Sequence, residues 1–140
     1  MKKYSFILVF IYMGIVSKTN AQNIDTLTYL RNIVANKNQY IGHPFHELAD
    51  TMQLQIRFFS PFGAVHHNKN KETSTSFSFY FPLNDSDFYL SFPKLEIYWQ
   101  PQLDAVQSWI LFRNNNGGGW SPDVLNFYSN GIIADIKVRE

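Results

Sequence analysis

The sequence predicts an α+β fold in which two N-terminal helices pack on an antiparallel or mixed sheet of about five to six strands, with one further helix before the last strand. Three observations indicate this class. From Ile24 onward the apolar residues first recur every three to four positions, which is the period of an amphipathic helix. In later stretches they alternate with polar residues, the period of a strand with one buried face. No repeated strand, helix, strand unit accompanies them, so a regular parallel sheet is not expected.

The chain begins with the pattern of a cleavable export signal, predicted to cover residues 1–21. Two lysines precede a nearly uncharged apolar run, and polar residues follow it. The run is short for a membrane span, because a transmembrane helix needs about 20 apolar residues. The small side chains of Thr19 and Ala21 favour cleavage after Ala21, and a retained membrane anchor is the alternative. Residues 22–140 then form a single globular domain in the periplasm or outside the cell.

The composition of the mature domain restricts its function. The whole chain has a formal net charge of +1, but three of its twelve basic residues fall in the predicted signal, which leaves nine against eleven acids. No basic stripe remains for a nucleic-acid backbone, so a nucleic-acid partner is not expected. The chain has no cysteine, so apolar packing alone must hold the core and no acceptor exists for lipid attachment. Membrane insertion is therefore not expected after signal cleavage.

Two helices are expected at the start of the mature domain. The first begins at Asp25, whose side chain can accept hydrogen bonds from the free amides of the first turn. Gly42 offers the left-handed conformation that commonly ends a helix, and Pro44 suits the start of a second helix that runs to about Asp50. The apolar positions that define the two buried faces are Ile24, Leu27, Leu30, Ile33 and Val34 in the first helix and Phe45, Leu48, Ala49 and Met52 in the second.

Alternating apolar and polar residues predict the strands. The alternation covers residues 53–58, 76–81 and 95–100, and residues 88–92 form a further short strand. The polar residues 66–72 are expected to form a surface loop, and residues 82–87 a turn. Residues 106–112 end in four consecutive apolar side chains, which indicates a strand that is buried on both faces at the centre of the sheet.

The last third of the chain starts with a glycine-rich run and ends in a strand. Residues 113–119 include three asparagines and three consecutive glycines, which predict a flexible loop. A serine, a proline and an acid at residues 121–123 predict the first turn of a helix. Asn130 and Gly131 predict a left-handed end to that helix. Alternation over residues 132–139 predicts a final strand with one polar face.

Aromatic residues outside the expected core predict a binding surface. Tyr80 and Tyr98 lie on the strand face opposite the core positions, and Trp120 follows the glycine run. Tyrosine and tryptophan are enriched at binding surfaces, because each offers a broad apolar area with a polar edge at small entropy cost. A tryptophan beside Asn115 and its asparagine neighbours can stack on a sugar ring and bond to its hydroxyls. The alternative is that Trp120 folds back on the core and the tyrosines border it.

The four histidines are the candidate metal ligands. His43 and His46 are three residues apart at the start of the expected second helix, and His66 and His67 are adjacent in the polar loop. Their spacing does not fit the zinc-protease patterns. The alternative is that His43 caps a turn and the other three are solvated.

No set of residues with the spacing of a catalytic site stands out. No serine lies in a glycine-flanked turn, and the glycine run at residues 117–119 lacks the lysine of a phosphate-binding loop. The acids of the predicted turn at residues 82–87 read as solvated turn residues. The sequence therefore favours an exported, non-catalytic binding or interaction module with an unknown protein or glycan partner and no cofactor. The alternative is a metal-binding protein that uses its histidines. The sequence indicates no oligomeric state.

Overall fold

Residues 25–63, 69–80 and 92–140 are described by a computed structural model of the protein. In this part of the chain there are four α-helices and one four-stranded antiparallel sheet. In chain order the elements are α1 (Thr26–Ala35), a short 3-10 helix (Lys37–Gln39), α2 (Phe45–Thr51), β1 (Phe58–Gly63), β2 (Lys71–Ser78), β3 (Lys94–Asp104), α3 (Ala105–Asn114), α4 (Pro122–Ser129) and β4 (Ile133–Arg139). The α+β class is confirmed. The described sheet has four strands rather than five to six, and two helices rather than one precede the last strand.

Several predictions concern residues outside the described part of the chain. They are the export signal at residues 1–21, the turn at residues 82–87, the strand at residues 88–92 apart from its last residue, and the pair His66 and His67. These stay predictions.

The two N-terminal helices lie where the apolar spacing placed them. Asp25 is the residue before α1, but the predicted capping bond from a first-turn amide to its side chain is absent. Its carboxylate accepts a hydrogen bond from the Thr28 hydroxyl instead. Gly42 has a φ of +83° between the two helices. Phe45 and Leu48 of α2 are fully buried, as the predicted apolar face requires. No helix within the described ranges is long and apolar enough to cross a membrane.

The helices cover one face of the sheet, and the main core lies between the helices and that face. The strand order is β1-β2-β3-β4, and each neighbouring pair is antiparallel. The register places Phe59 opposite Phe77 and Phe77 opposite Leu95 on the covered face. The buried side chains that join them are Leu30, Ile33, Phe45, Leu48, Ile97, Trp99, Val124, Tyr128, Ile133 and Ile136. Apolar packing, much of it between aromatic rings, therefore holds this core.

The first strand lies later in the chain than its alternation predicted. The alternation covers residues 53–58, but residues 53–57 precede β1 and the strand continues to Gly63. Proline lacks the N–H that a ladder needs, so it is tolerated mainly in edge strands. Because β1 lies at the edge of the sheet, Pro61 is compatible with a strand there.

Residues 106–112 form helix α3, so the prediction of a central strand is wrong. The Asp104 carboxylate accepts hydrogen bonds from the amides of Val106 at 2.9 Å and Gln107 at 3.2 Å, which starts the helix. A short apolar run does not separate a strand from a helix by its periodicity. Burial on both faces is also wrong, because Val106, Trp109 and Ile110 are 52%, 41% and 43% exposed.

The glycine run forms a bonded turn along the outer edge of β1. The Phe59 amide donates to the Gly118 carbonyl at 2.8 Å, and the Trp120 amide donates to the Arg57 carbonyl at 3.0 Å. Gly118 has a φ of +111°, and a Cβ atom there would lie 2.4 Å from the Phe59 carbonyl oxygen. The glycines thus allow close backbone approach and cover a strand edge, rather than supplying the flexibility that was predicted.

Helix α4 starts as predicted but ends differently. Ser121 caps it by accepting a hydrogen bond from the Val124 amide at 3.4 Å. Asn130, after the last turn, has a φ of −94° and a ψ of 0°, which is right-handed backbone. The predicted left-handed end is therefore absent at this position. Gly131 is required for a different reason, because a Cβ atom there would lie 3.0 Å from the Trp99 ring.

Candidate functional site

A groove of about 310 Å³ lies beside Trp120, between the chain that follows α2 and the start of α4. Ligand pockets commonly have volumes of about 300–1,000 Å³ and combine an apolar lining with a few polar groups. The apolar lining residues are Ala49, Met52, Leu54, Ile56, Trp120 and Leu125, and the polar ones are Asp50, Gln53 and Gln55. The groove thus offers one flat aromatic wall, one carboxylate and two carboxamides.

Trp120 belongs both to the core and to this groove. Its ring packs edge-on against Phe77, with centroids 5.6 Å apart, and against Phe59, with centroids 6.3 Å apart. Its amide is bonded to Arg57. The side chain is half-buried, so these contacts fix the ring while part of it lines the groove. A wall held in this way loses little conformational freedom when a ligand binds.

The two tyrosines of the predicted surface lie elsewhere. Tyr98 is half-buried on the sheet face opposite the helices, and the Lys137 ammonium lies 4.5 Å from the centroid of its ring. Tyr80 follows β2 and is 41% exposed. Its hydroxyl lies 2.6 Å from the Thr26 Oγ1 atom, and its ring stacks on Phe92 with centroids 4.9 Å apart. Neither tyrosine is among the residues that line the groove.

Asn115 holds the end of α3 and the glycine turn. Its side-chain amide donates to the Leu111 carbonyl at 2.8 Å, and its own carbonyl accepts from the Gly119 amide at 2.7 Å. The structure therefore does not bring Tyr80, Tyr98, Asn115 and Trp120 onto one surface. Of the four predicted binding residues, Trp120 is the one that lines the groove.

His43 and His46, the two histidines in the described part of the chain, contact different groups. The His43 Nδ1 atom lies 3.0 Å from a carboxylate oxygen of Glu47, whereas the His46 Nδ1 atom lies 3.1 Å from the Ser129 carbonyl oxygen. Within residues 25–63, 69–80 and 92–140, no group of three or more metal-ligating side chains occurs.

A buried polar cluster around Glu72 was missed at the level of sequence. Glu72 was expected in a surface loop, but it lies in β2 and is fully buried. Its Oε1 atom accepts hydrogen bonds from the Thr75 hydroxyl and, at 2.9 Å, from the Tyr128 hydroxyl. The Trp99 indole N–H donates to the Thr75 Oγ1 atom at 2.8 Å. The second oxygen, Oε2, has no hydrogen-bond partner among the described residues.

Burial of this carboxyl changes the ionisation of the cluster. Desolvation raises the pKa of Glu72 to about 7, although the hydrogen bonds from Thr75 and Tyr128 oppose the rise. Burial and the neighbouring Glu72 carboxyl raise the pKa of Tyr128 above its ordinary value. A break in register between Glu72 and Ser74 turns the side chain into the core. Regular alternation would place it on the outer face, so no pattern in the sequence identifies it.

A second buried carboxylate lies on the outer face of the sheet. Glu96 is 3% exposed and accepts hydrogen bonds from the Arg139 guanidinium at 2.7 and 2.9 Å and from the Ser74 hydroxyl at 3.1 Å. The same guanidinium lies 5.1 Å from the centroid of the Phe62 ring. Arg139 of β4 thus reaches Phe62 of β1. Its ion pair with Glu96 neutralises the buried carboxylate. These contacts give Glu96 a structural role.

The chain matches no protein-family model, no curated protein and no solved structure. Its function is therefore inferred from the groove and the clusters described above.

Proposed function

We propose that the protein is an exported, non-catalytic binding module that holds a glycan or protein ligand in the groove at Trp120. The observation that carries this proposal is the position of the Trp120 ring, which is fixed against Phe59 and Phe77 and also lines the groove. An aromatic ring fixed in this way provides apolar contact area without an added ordering cost.

The polar groups of the groove suit recognition rather than hydrolysis. Asp50 can accept hydrogen bonds, and the carboxamides of Gln53 and Gln55 can both donate and accept them. Among the lining residues there is one carboxylate and no histidine, whereas hydrolysis of a glycosidic bond commonly uses a pair of acids. Glu72, which has the raised pKa, is fully buried and is not a lining residue of the groove.

The test is ligand binding by the purified protein and by variants of the groove rim. A glycan array and pull-down from the native host identify ligands, and calorimetric titration measures their affinities. Replacing the exposed Gln55 with alanine is expected to weaken binding about five-fold, because a neutral hydrogen bond contributes about 1 kcal/mol. Gln107→Ala on α3 is the matched control, since it removes an exposed glutamine that does not line the groove. Equal affinities for both variants and the unmodified protein would show that the ligand binds elsewhere.

Metal binding by the histidines is the second proposal. The observation in its favour is the 3.0 Å separation of the His43 imidazole from the Glu47 carboxylate, because both groups are metal ligands. Equilibrium dialysis with zinc at neutral pH tests it. Stoichiometric uptake that His43→Ala abolishes would support a metal site, whereas no uptake would exclude it.

A further inference from the structure

A second, smaller groove of about 150 Å³ lies between α1 and α2. Its lining residues are Tyr29, Asn32, Ile33, Asn36, Gln39, Tyr40, Leu48, Thr51 and Gln53. Gln53 also lines the groove at Trp120, so the two grooves meet at this residue. The end of α2 and the residues up to Gln53 contribute lining to both grooves, Ala49 and Asp50 to the first and Leu48 and Thr51 to the second.

The second groove is lined by neutral hydrogen-bonding groups. Four carboxamides, two tyrosine hydroxyls and one threonine hydroxyl line it, and no charged side chain is among its lining residues. Carboxamides and hydroxyls both donate and accept hydrogen bonds, as the hydroxyls of a sugar do. A phosphate or carboxylate ligand is instead bound most strongly by a cation such as arginine. The lining therefore fits a neutral ligand with many hydroxyl groups.

Hydrogen bonds within the protein hold this lining in place. The Tyr29 hydroxyl accepts from the Gln53 backbone N–H at 2.8 Å, which leaves its own hydrogen able to donate to a ligand. The Tyr40 hydroxyl lies 3.3 Å from the Thr51 Oγ1 atom. The Asn36 side-chain amide donates to the Asn32 carbonyl at 2.9 Å. Groups ordered before binding lose less entropy when the ligand arrives.

The grooves do not have the features of a common peptide site. A peptide that adds a strand needs a sheet edge, and an amphipathic helix needs a long apolar groove. The second groove is formed by side chains of two helices and the turn between them, and it is mostly polar. Each groove has an aromatic lining, Trp120 in one and Tyr29 and Tyr40 in the other, and aromatic rings suit the faces of sugar rings.

We infer that the ligand is a neutral oligosaccharide that spans both grooves, with one sugar unit against Trp120 and an adjoining unit against Tyr29 and Tyr40. This inference rests on the proposed function and names the ligand class for the same site. Gln53, at the junction, contacts both units.

The experiment compares ligand length with variants of each groove. An array of neutral glycans identifies a bound oligosaccharide, and calorimetry then measures the affinity of that glycan and of its single-unit and two-unit fragments. The affinity is expected to rise when the second unit is added. Gln39→Ala and Tyr40→Phe are expected to weaken binding of the longer glycan about five-fold. Both should leave binding of the single unit at Trp120 unchanged. Asn38→Ala is the control, because Asn38 is an exposed neighbour that lines neither groove.

The outcomes separate this inference from the proposed function. If Gln55→Ala weakens binding but Gln39→Ala and Tyr40→Phe do not, the second groove is not a subsite, and the proposed function stands. Binding of a charged glycan or a peptide at the Trp120 groove, without any neutral glycan, would show that the ligand class is wrong. If no ligand depends on Gln55, the proposed function fails and this inference fails with it.

Discussion

Replacing Glu72 with glutamine is expected to stabilise the protein at and above neutral pH. Burial raises the pKa of Glu72 from an ordinary value of 4.5 to about 7. The folded state therefore keeps the proton at pH values where the unfolded state has lost it. The contribution of Glu72 to the free energy of unfolding is greatest below about pH 4.5, falls as the pH rises to about 7, and levels off above that pH. Each pKa unit corresponds to about 1.4 kcal/mol, so the total loss is about 3 kcal/mol.

The geometry explains why glutamine removes this loss. The glutamine carbonyl oxygen can still accept the hydrogen bonds that Tyr128 and Thr75 donate to the Oε1 atom. A carboxamide does not ionise, so it avoids the cost of burying a charge without a cation. We expect the variant to lack this pH-dependent loss and to exceed the unmodified protein by about 3 kcal/mol at about pH 8.

Urea unfolding, followed by tryptophan fluorescence between about pH 5 and about pH 8, measures the effect. The difference between the two proteins isolates the contribution of Glu72. Glu140→Gln is the control, because it removes an exposed carboxylate and should leave the pH profile unchanged. A constant difference across this pH range, or a variant that is less stable at pH 8, would refute the reasoning.

Four further outcomes are expected. Gly118→Ala should lower the free energy of unfolding by at least about 2 kcal/mol in urea titration, because its φ is +111° and a Cβ atom would overlap the β1 backbone. Gly63→Ala should be nearly neutral, since a Cβ atom there meets no atom within 4 Å. Arg139→Gln should cost about 2 kcal/mol by the same assay, because it leaves the Glu96 carboxylate buried without its cation. A double variant with Arg139→Gln and Glu96→Gln should be more stable than Arg139→Gln alone, because it removes the unpaired carboxylate. Equal stability of the two variants would show that the unpaired charge is not the cause of the loss. Amino-terminal sequencing of the protein expressed from the full chain should show cleavage after Ala21, and an intact start would overturn the predicted signal.

Local signals in the sequence predicted the starts of α1, α2 and α4. Ser121 caps α4 within one turn of the chain, so its effect can be derived without the rest of the fold. Residues 106–112 show where local sequence signals fail to predict the structure. Their apolar side chains suit a buried strand equally well, and the cap that starts a helix there, Asp104, lies before the run. The position of α3 across β1 and β2 depends on contacts distant in sequence.

The candidate site was also predictable only where a local signal in the sequence marks it. Trp120 was singled out because it follows the glycine run, and it does line the groove. Tyr98 was assigned correctly to the outer face of the sheet, but that face lies opposite the groove. The burial of Glu72 depends on one break in register in β2, and alternation in the sequence cannot show where such a break occurs.

The glycine turn connects the stability of the sheet edge with the position of the binding wall. The backbone bond from Trp120 to Arg57 and the bond from Phe59 to Gly118 protect the edge of β1. The same two bonds set where the Trp120 ring lies relative to Phe59 and the groove. A substitution that displaces the turn therefore exposes the edge of β1 and also moves the Trp120 ring. In the proposed binding module, Gly118→Ala should consequently lower ligand affinity as well as stability, whereas Arg139→Gln should lower stability alone, because Arg139 lies on the opposite face of the sheet.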